Sequence, residues 1–205
     1  MAEGEGPKID RDKHLIQLKA LRKIIDKYAD EINSFEVKTI PELKAFINPS
    51  DAAVKKVVAK LKEEFERKSG KLYSIDYNTT LWLAAFHFVS SLDTIEMDLP
   101  VSFWFTPSDV MELGAADAFD RAIFLASLMA ELGAPAKVHV LETDGGIRHP
   151  VVIVNSDKCY LFDAYPSASF LTGHTQNEVL ANFSLAGKRY TRSLFEFSQN
   201  HYEEF

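Results

Sequence analysis

The sequence predicts an α+β domain in which helices from the first half pack on one face of an antiparallel sheet formed mainly by the C-terminal half. Two observations predict it. Up to Leu132 the apolar residues recur at spacings of three and four, the period of a helix, whereas from Ala136 they alternate, the period of a strand. The alternating runs are also separated by short turn sequences, DGG at 144–146 and SDK at 156–158, which join antiparallel neighbours.

Residues 1–9 hold Gly and charge without periodicity and are expected to be disordered, followed by a helical extension over 10–40 and a main domain over 41–205. In the extension Leu18, Leu21, Ile25, Tyr28, Ile32 and Phe35 form one narrow stripe, read here as the face that docks on the domain. After the Asn48-Pro49 break, Ser50 or Asp51 caps a second helix that buries Val54, Val57, Val58, Leu61 and Phe65. Asn78 caps a third, TTLWLAAFHFVSSL, apolar nearly all round and therefore in the core, with His87 as a satisfied core histidine.

Thr106 caps a two-turn helix with Pro107 at its first position and Gly114 at its end. The longest apolar helix follows, from about Asp117 to Leu132. Then come strands AKVHVLET, IRHPVVIVN and CYLFDAYP as a meander, a short helix near TQNEVLANF and a strand near KRYTRSLFEFS.

Composition narrows the function classes. With 205 residues, 46% hydrophobic and 26% charged, the chain reads as an ordinary soluble protein, and no apolar run approaches the roughly 20 residues that span a bilayer. The N-terminal stretch lacks the pattern of a secretion signal, so a cytoplasmic location is expected. A formal charge of −7 argues against a nucleic-acid surface. Cys159 is the single cysteine and the six histidines show no HxxxH or HExxH spacing, so neither a metal centre nor a cofactor is expected.

The chemistry concentrates at the start of the long helix, where unpaired N–H groups and the helix dipole favour negative charge. A thiol there ionises easily, but Ala118 offers a methyl, flanked by Asp117 and Asp120. His149 and Asp163 fall on adjacent strands, and counting from the 156–158 turn sets them roughly opposite each other. If both occupy the face under the long helix, a histidine oriented by a carboxylate looks toward position 118, the arrangement of base and orienter around a nucleophile.

The segments GAADAFDRAIFLASLMAELGAPAKV, RHPVVIV and CYLFDAYP, with Trp104 and Pro107 as an upstream W-x-x-P, resemble the prokaryotic and archaeal branch of the transglutaminase-like superfamily. The resemblance spans Trp104 to Pro166. It implies a papain-like fold with a nucleophile helix on an antiparallel sheet, His149 as base, Asp163 as its orienting carboxylate and Ala118 at the place of the nucleophilic cysteine. Position 118 therefore departs from the pattern at its reactive atom. Neither flanking Asp replaces a thiolate in acyl transfer, Ser127 is about two and a half turns away, and Cys159 lies four residues from Asp163.

Two explanations of Ala118 stand. Natural loss makes the chain a catalytically inactive transglutaminase-like domain holding a peptide or acyl-amide group in its remnant cleft, with Trp104 at the wall and Asp117 and Asp120 at the rim. A deliberate Cys-to-Ala replacement makes it a silenced cysteine peptidase or amidase. Val151, where the family has an aromatic, and Phe119, where a polar residue is usual, fit natural loss better.

Overall fold

The computed structural model of the chain describes residues 11–34, 39–69, 77–95, 103–165 and 168–205. Helix α1 spans Arg11–Ser34, leaving helical geometry at Tyr28 (φ −117°, ψ 23°). The stripe read from the sequence is not the docking face. Ala20, Ile24 and Tyr28 are buried and Ile16 packs against them, whereas Leu18 and Ile25 are more than 60% exposed. Of the expected stripe only Tyr28 points inward; the side chain of Ile32, Phe35 and the segment 1–9 lie outside the described residues. Ion pairs fasten the inner edge: Lys27 Nζ stands 2.5 Å and Lys23 Nζ 3.2 Å from the Asp109 carboxylate.

A short helix not read from the sequence, α2 (Ile40–Phe46), carries Pro41 at its second position and is held by Glu42, whose carboxylate accepts the Thr39 N–H at 2.6 Å. Helix α3 (Ala52–Ser69) starts at an Asp51 cap, Oδ1 accepting the Ala53 N–H at 2.8 Å. Helix α4 (Tyr77–Ser90) begins one residue before its expected cap, so Asn78 sits inside it. His87 is exposed rather than in the core; Leu81, Trp82, Ala85, Phe86 and Val89 occupy the buried side.

Thr106 caps α5 (Pro107–Leu113) by accepting from Asp109 N–H, and Gly114 ends it at φ 69°, a left-handed conformation that glycine adopts without steric cost. Two-residue strands β1 (Asp93–Thr94) and β2 (Ala115–Ala116) pair in parallel and lead into α6 (Ala118–Glu131).

The meander follows as expected: β3 (Ala136–Thr143), β4 (Ile147–Asn155) and β5 (Cys159–Asp163) are antiparallel neighbours. Beyond it lie β6 (Ser169–Gly173), α7 (Gln176–Ala181), β7 (Ser184–Leu185), β8 (Lys188–Ser198) and β9 (His201–Glu204). The sheet runs β6-β5-β4-β3-β8, with β7 and β9 both paired to β8.

Helices cover both faces of this sheet, not one. Val138, Val140, Val152, Val154, Tyr160, Phe162 and Phe197 join α6 in the main core. The alternate residues Leu141, Val151, Ile153, Cys159 and Leu161 form a second cluster with Val179 and Leu180 of α7 and Phe183 after it. The period of two thus fixes which residues share a face, and the position of α7 decides what the second face meets.

Candidate functional site

The first turn of α6 is built around its two carboxylates. Asp117 is the N-cap, its Oδ1 accepting the Asp120 N–H at 2.8 Å. Asp120 turns inward, 1% exposed, where Oδ1 accepts the Phe105 N–H at 2.7 Å and Oδ2 meets no partner among the described residues. Burial, reinforced by the charge of Asp117, pushes the Asp120 carboxyl well above its ordinary range, and burial raises Asp117 as well. Ala118 is the first residue of the helix and half-buried.

One turn on, Arg121 locks this end of α6 in place. Its guanidinium, in a residue 2% exposed, donates to the carbonyls of Val89 (2.9 Å), Ser90 (3.2 Å), Leu92 (2.7 Å) and Ala116 (3.4 Å) and to Thr94 Oγ1 (3.1 Å). A cation at a helix N-terminus is unfavourable to that helix. It gains instead from the C-terminal carbonyls of α4, where positive charge is favoured. A cation in the first turn of a helix, where an acid is favoured, is the sequence signal for Arg121.

Arg121 also connects α6 to the sheet. Its guanidinium lies 5.8 Å from the centre of the Tyr165 ring, and the Tyr165 N–H donates to Asp163 Oδ1 at 3.0 Å. The same oxygen stands 2.9 Å from His149 Nε2. Arg121, Tyr165, Asp163 and His149 thus form a continuous chain of contacts that starts one turn along α6 from position 118.

His149 and Asp163 are 4% and 2% exposed. They are not directly opposite. Val152 pairs with Phe162, so Asp163 follows across from Val151 and the imidazole reaches it diagonally along one face. That face is not the one packed under α6, as the sequence reading required: it is the α7 face, and the His149 ring stacks on Phe183 at 6.1 Å with 16° between planes. Parity places His149 with Val151 and Leu141, whose neighbours are α7 and Phe183. Its Nδ1 has no hydrogen bond among the described residues.

Trp104 does not line an open wall. It is 6% exposed, stacked against Phe119 (5.1 Å, 14°) and Phe197 (5.9 Å, 4°), with Phe46 edge-on, and its carbonyl accepts the Tyr28 hydroxyl. Phe119 thereby gains a packing reason for its place. Cys159 is 2% exposed, and burial, with the nearby Glu178 charge, pushes its thiol up to about 11.

A second polar cluster lies on the same sheet face. Glu196 accepts from Lys137 (2.5 Å) and Gln176 (3.2 Å) and stands 3.1 Å from His139 and 3.0 Å from His201. Burial opposes its ionisation, but these hydrogen bonds outweigh that and hold the carboxyl well below its usual range. Among the described residues, Glu196, His201 and Glu203 bring ligand atoms within 4.8 Å of one another. Lys137 already supplies a cation to the Glu196 carboxylate, so the arrangement works as an ion-paired clasp between β3, β8, β9 and α7. No described helix is long and apolar enough to cross a membrane.

The fold has solved counterparts. LapG from Legionella pneumophila superposes with a TM-score of 0.51 at 10% identity, over 95% of this chain and 86% of LapG. The calcium-bound form of the same protein gives 0.51 at 11% identity, over 88% and 87%. No protein-family model and no curated protein sequence matches the chain. The likeness is one of fold, the papain-like, transglutaminase-like α+β arrangement.

Proposed function

We propose that the chain is a non-catalytic domain of transglutaminase-like fold that uses His149, oriented by Asp163, to hold a peptide or acyl-amide group on the α7 side of the sheet. The buried 2.9 Å contact between His149 and Asp163 carries this reading. An imidazole fixed through Nε2 keeps Nδ1 as a positioned donor or acceptor, and the Arg121–Tyr165 link ties its carboxylate partner to the helix tip.

Acyl transfer needs a nucleophile, and position 118 supplies none. Ala118 has no lone pair to offer. Cys159, with its thiol at about 11, is thiolate to about one part in ten thousand at pH 7. Four strand residues separate it from Asp163, roughly 13 Å.

The test uses Nα-acetylated peptide amides as probes, followed by the ring ¹⁵N resonances of His149. The expected result is a saturable shift with some of these peptides, abolished by Asp163→Asn, and no release of amine. Amine release that Asp163→Asn abolishes would make the chain an enzyme, and unshifted resonances with every peptide would leave a purely structural domain.

The second reading, a thiol peptidase or amidase whose cysteine was replaced, draws on the same retained pair, since a buried polar pair with no partner reaction gains nothing for the core. The codon for residue 118 in the source genome separates the two. Cys there selects the second reading.

A further inference from the structure

Position 118 lacks its nucleophile, and the domain is non-catalytic there. Elsewhere on the sheet, on β3 and β8, a serine, a histidine and a carboxylate meet in the order that activates a nucleophile. Ser193 Oγ stands 2.8 Å from His139 Nε2, and His139 Nδ1 stands 3.1 Å from Glu196 Oε2. This set is separate from the His149–Asp163 pair: Leu141 lies between Ser193 and His149 in one row across the strands.

The backbone is shaped to bring the three together. On a regular strand, residues three apart point to opposite faces. Tyr190, Ser193 and Glu196 are three apart along β8, yet all share the α7 face, because the register against β3 slips twice. Val140 and Leu141 pair with Phe195 and Ser193, and Glu142 and Thr143 pair with Arg192 and Tyr190. Each slip is a bulge that skips one residue, Leu194 and then Thr191, and bulges re-aim side chains beside active sites. The result is a run of contacts from the Tyr190 hydroxyl, 3.0 Å from Ser193 Oγ, through His139 to Glu196.

The surroundings of Glu196 fix where the protons lie. Lys137 and His201 at Oε1 and Gln176 at Oε2 hold this carboxylate ionised although it is buried. A carboxylate only accepts, so a neutral His139 carries its proton on Nδ1 and turns the Nε2 lone pair to the Ser193 hydroxyl. His139 is fully buried among these partners, whereas Ser193 is half-buried and open to a ligand from the solvent side.

We infer that Ser193 is a nucleophile toward small carboxylic esters, with His139 as its general base and Glu196 as the residue that positions His139. Ser193 Oγ bonds to the acyl carbon as its proton passes to His139 Nε2. The C–O bond to the leaving alcohol breaks, and the alcohol departs with that proton. Water then attacks the acyl-serine, giving a proton to Nε2, and Ser193 leaves with it, so ester and water become acid and alcohol. The Tyr190 hydroxyl is the donor beside the oxygen on which charge develops. One hydroxyl is modest help to that oxygen, and an alcohol leaves more readily than an amine, so esters rather than amides are the class.

The experiment follows hydrolysis of p-nitrophenyl acetate by the full chain in a Cys159→Ser background, and locates the residue modified by diisopropyl fluorophosphate by mass spectrometry. The expected result is saturable hydrolysis with the phosphoryl group on Ser193. Ser193→Ala lowers the rate by at least ~100-fold. Glu196→Gln lowers kcat and leaves KM, because Glu196 touches no substrate. A rate equal to that of the urea-unfolded chain, an adduct elsewhere with Ser193 unmodified, or a rate that survives Ser193→Ala would each overturn the inference.

Discussion

Replacing Arg121 by Ala removes the fastening of the α6 tip. Five donor contacts at 2.7–3.4 Å disappear, four of them to backbone carbonyls around the end of α4 and the β1–β2 bridge. Val89 O keeps a second donor in the Leu92 N–H, whereas Leu92 O loses its guanidinium and must find water. Hydrogen bonds to a charged group contribute about 1.5–3 kcal/mol each. Part of that is recovered by water and by the desolvation that a buried cation no longer costs, leaving a loss of about 3–5 kcal/mol. For a domain of this size the melting temperature falls by roughly 2–4 °C per kcal/mol, hence by roughly 10 °C. Arg121→Lys keeps the charge but not the fork of donors and recovers about half of the loss. Thermal unfolding by circular dichroism measures all three proteins. A drop below about 2 °C for Arg121→Ala would refute the reasoning, because the carbonyls would then be satisfied without the side chain.

Asp120→Ala orphans the buried Phe105 N–H and costs about 1–3 kcal/mol in chemical denaturation, while Asp120→Asn keeps an acceptor and costs less. Because the folded state raises the Asp120 carboxyl, it holds a proton that the unfolded chain releases, so its contribution is favourable at low pH and erodes as pH rises above about 4. Stability of Asp120→Asn against pH should be flatter over that range; an unchanged profile would rule the protonated carboxyl out. Asp109 has the opposite sign: burial works against its charge, yet Lys27 and Thr106 hold it at about 2, so its support for α1 is complete above about 4 and is lost between about pH 4 and 2. Proteolytic release of α1 on acidification through that window reports it, and release unaffected by pH would exclude the ion pairs as the fastening. Cys159 should resist iodoacetamide at pH 8 in the native protein and react on unfolding; native alkylation at the unfolded rate would contradict its burial.

The elements with local signals were legible in the sequence. Thr106-Pro107 and Gly114 bound α5 because capping and left-handed termination are written in single residues, and the 156–158 turn sets the β4–β5 register in which Asp163 lies diagonally within reach of His149. Global choices were not written locally. Period alone cannot say which of two apolar faces of α1 docks, and the small Ala20 on the inner face left the larger outer leucines as the apparent stripe. Alternation grouped His149 with Val151 but could not say that α7, rather than α6, covers that face. Strands β6, β7 and β9 are short pieces at the margins of the sheet, and the β1–β2 bridge is two residues long, too brief for a pattern. The W-x-x-P spacing says nothing of the burial of Trp104, because its stacking partners Phe119 and Phe197 are distant in sequence from each other.

The central claim is that the His149–Asp163 pair faces α7 and not position 118. The direct measurement is the iodoacetamide rate of Ala118→Cys against pH in a Cys159→Ser background, with and without His149→Ala. A His149–Asp163 pair that faces α7 leaves that rate unchanged by His149→Ala. Alkylation persisting well below the free-thiol pKa of about 8.5 and slowed by His149→Ala would contradict this placement and make position 118 and the pair one chemical unit.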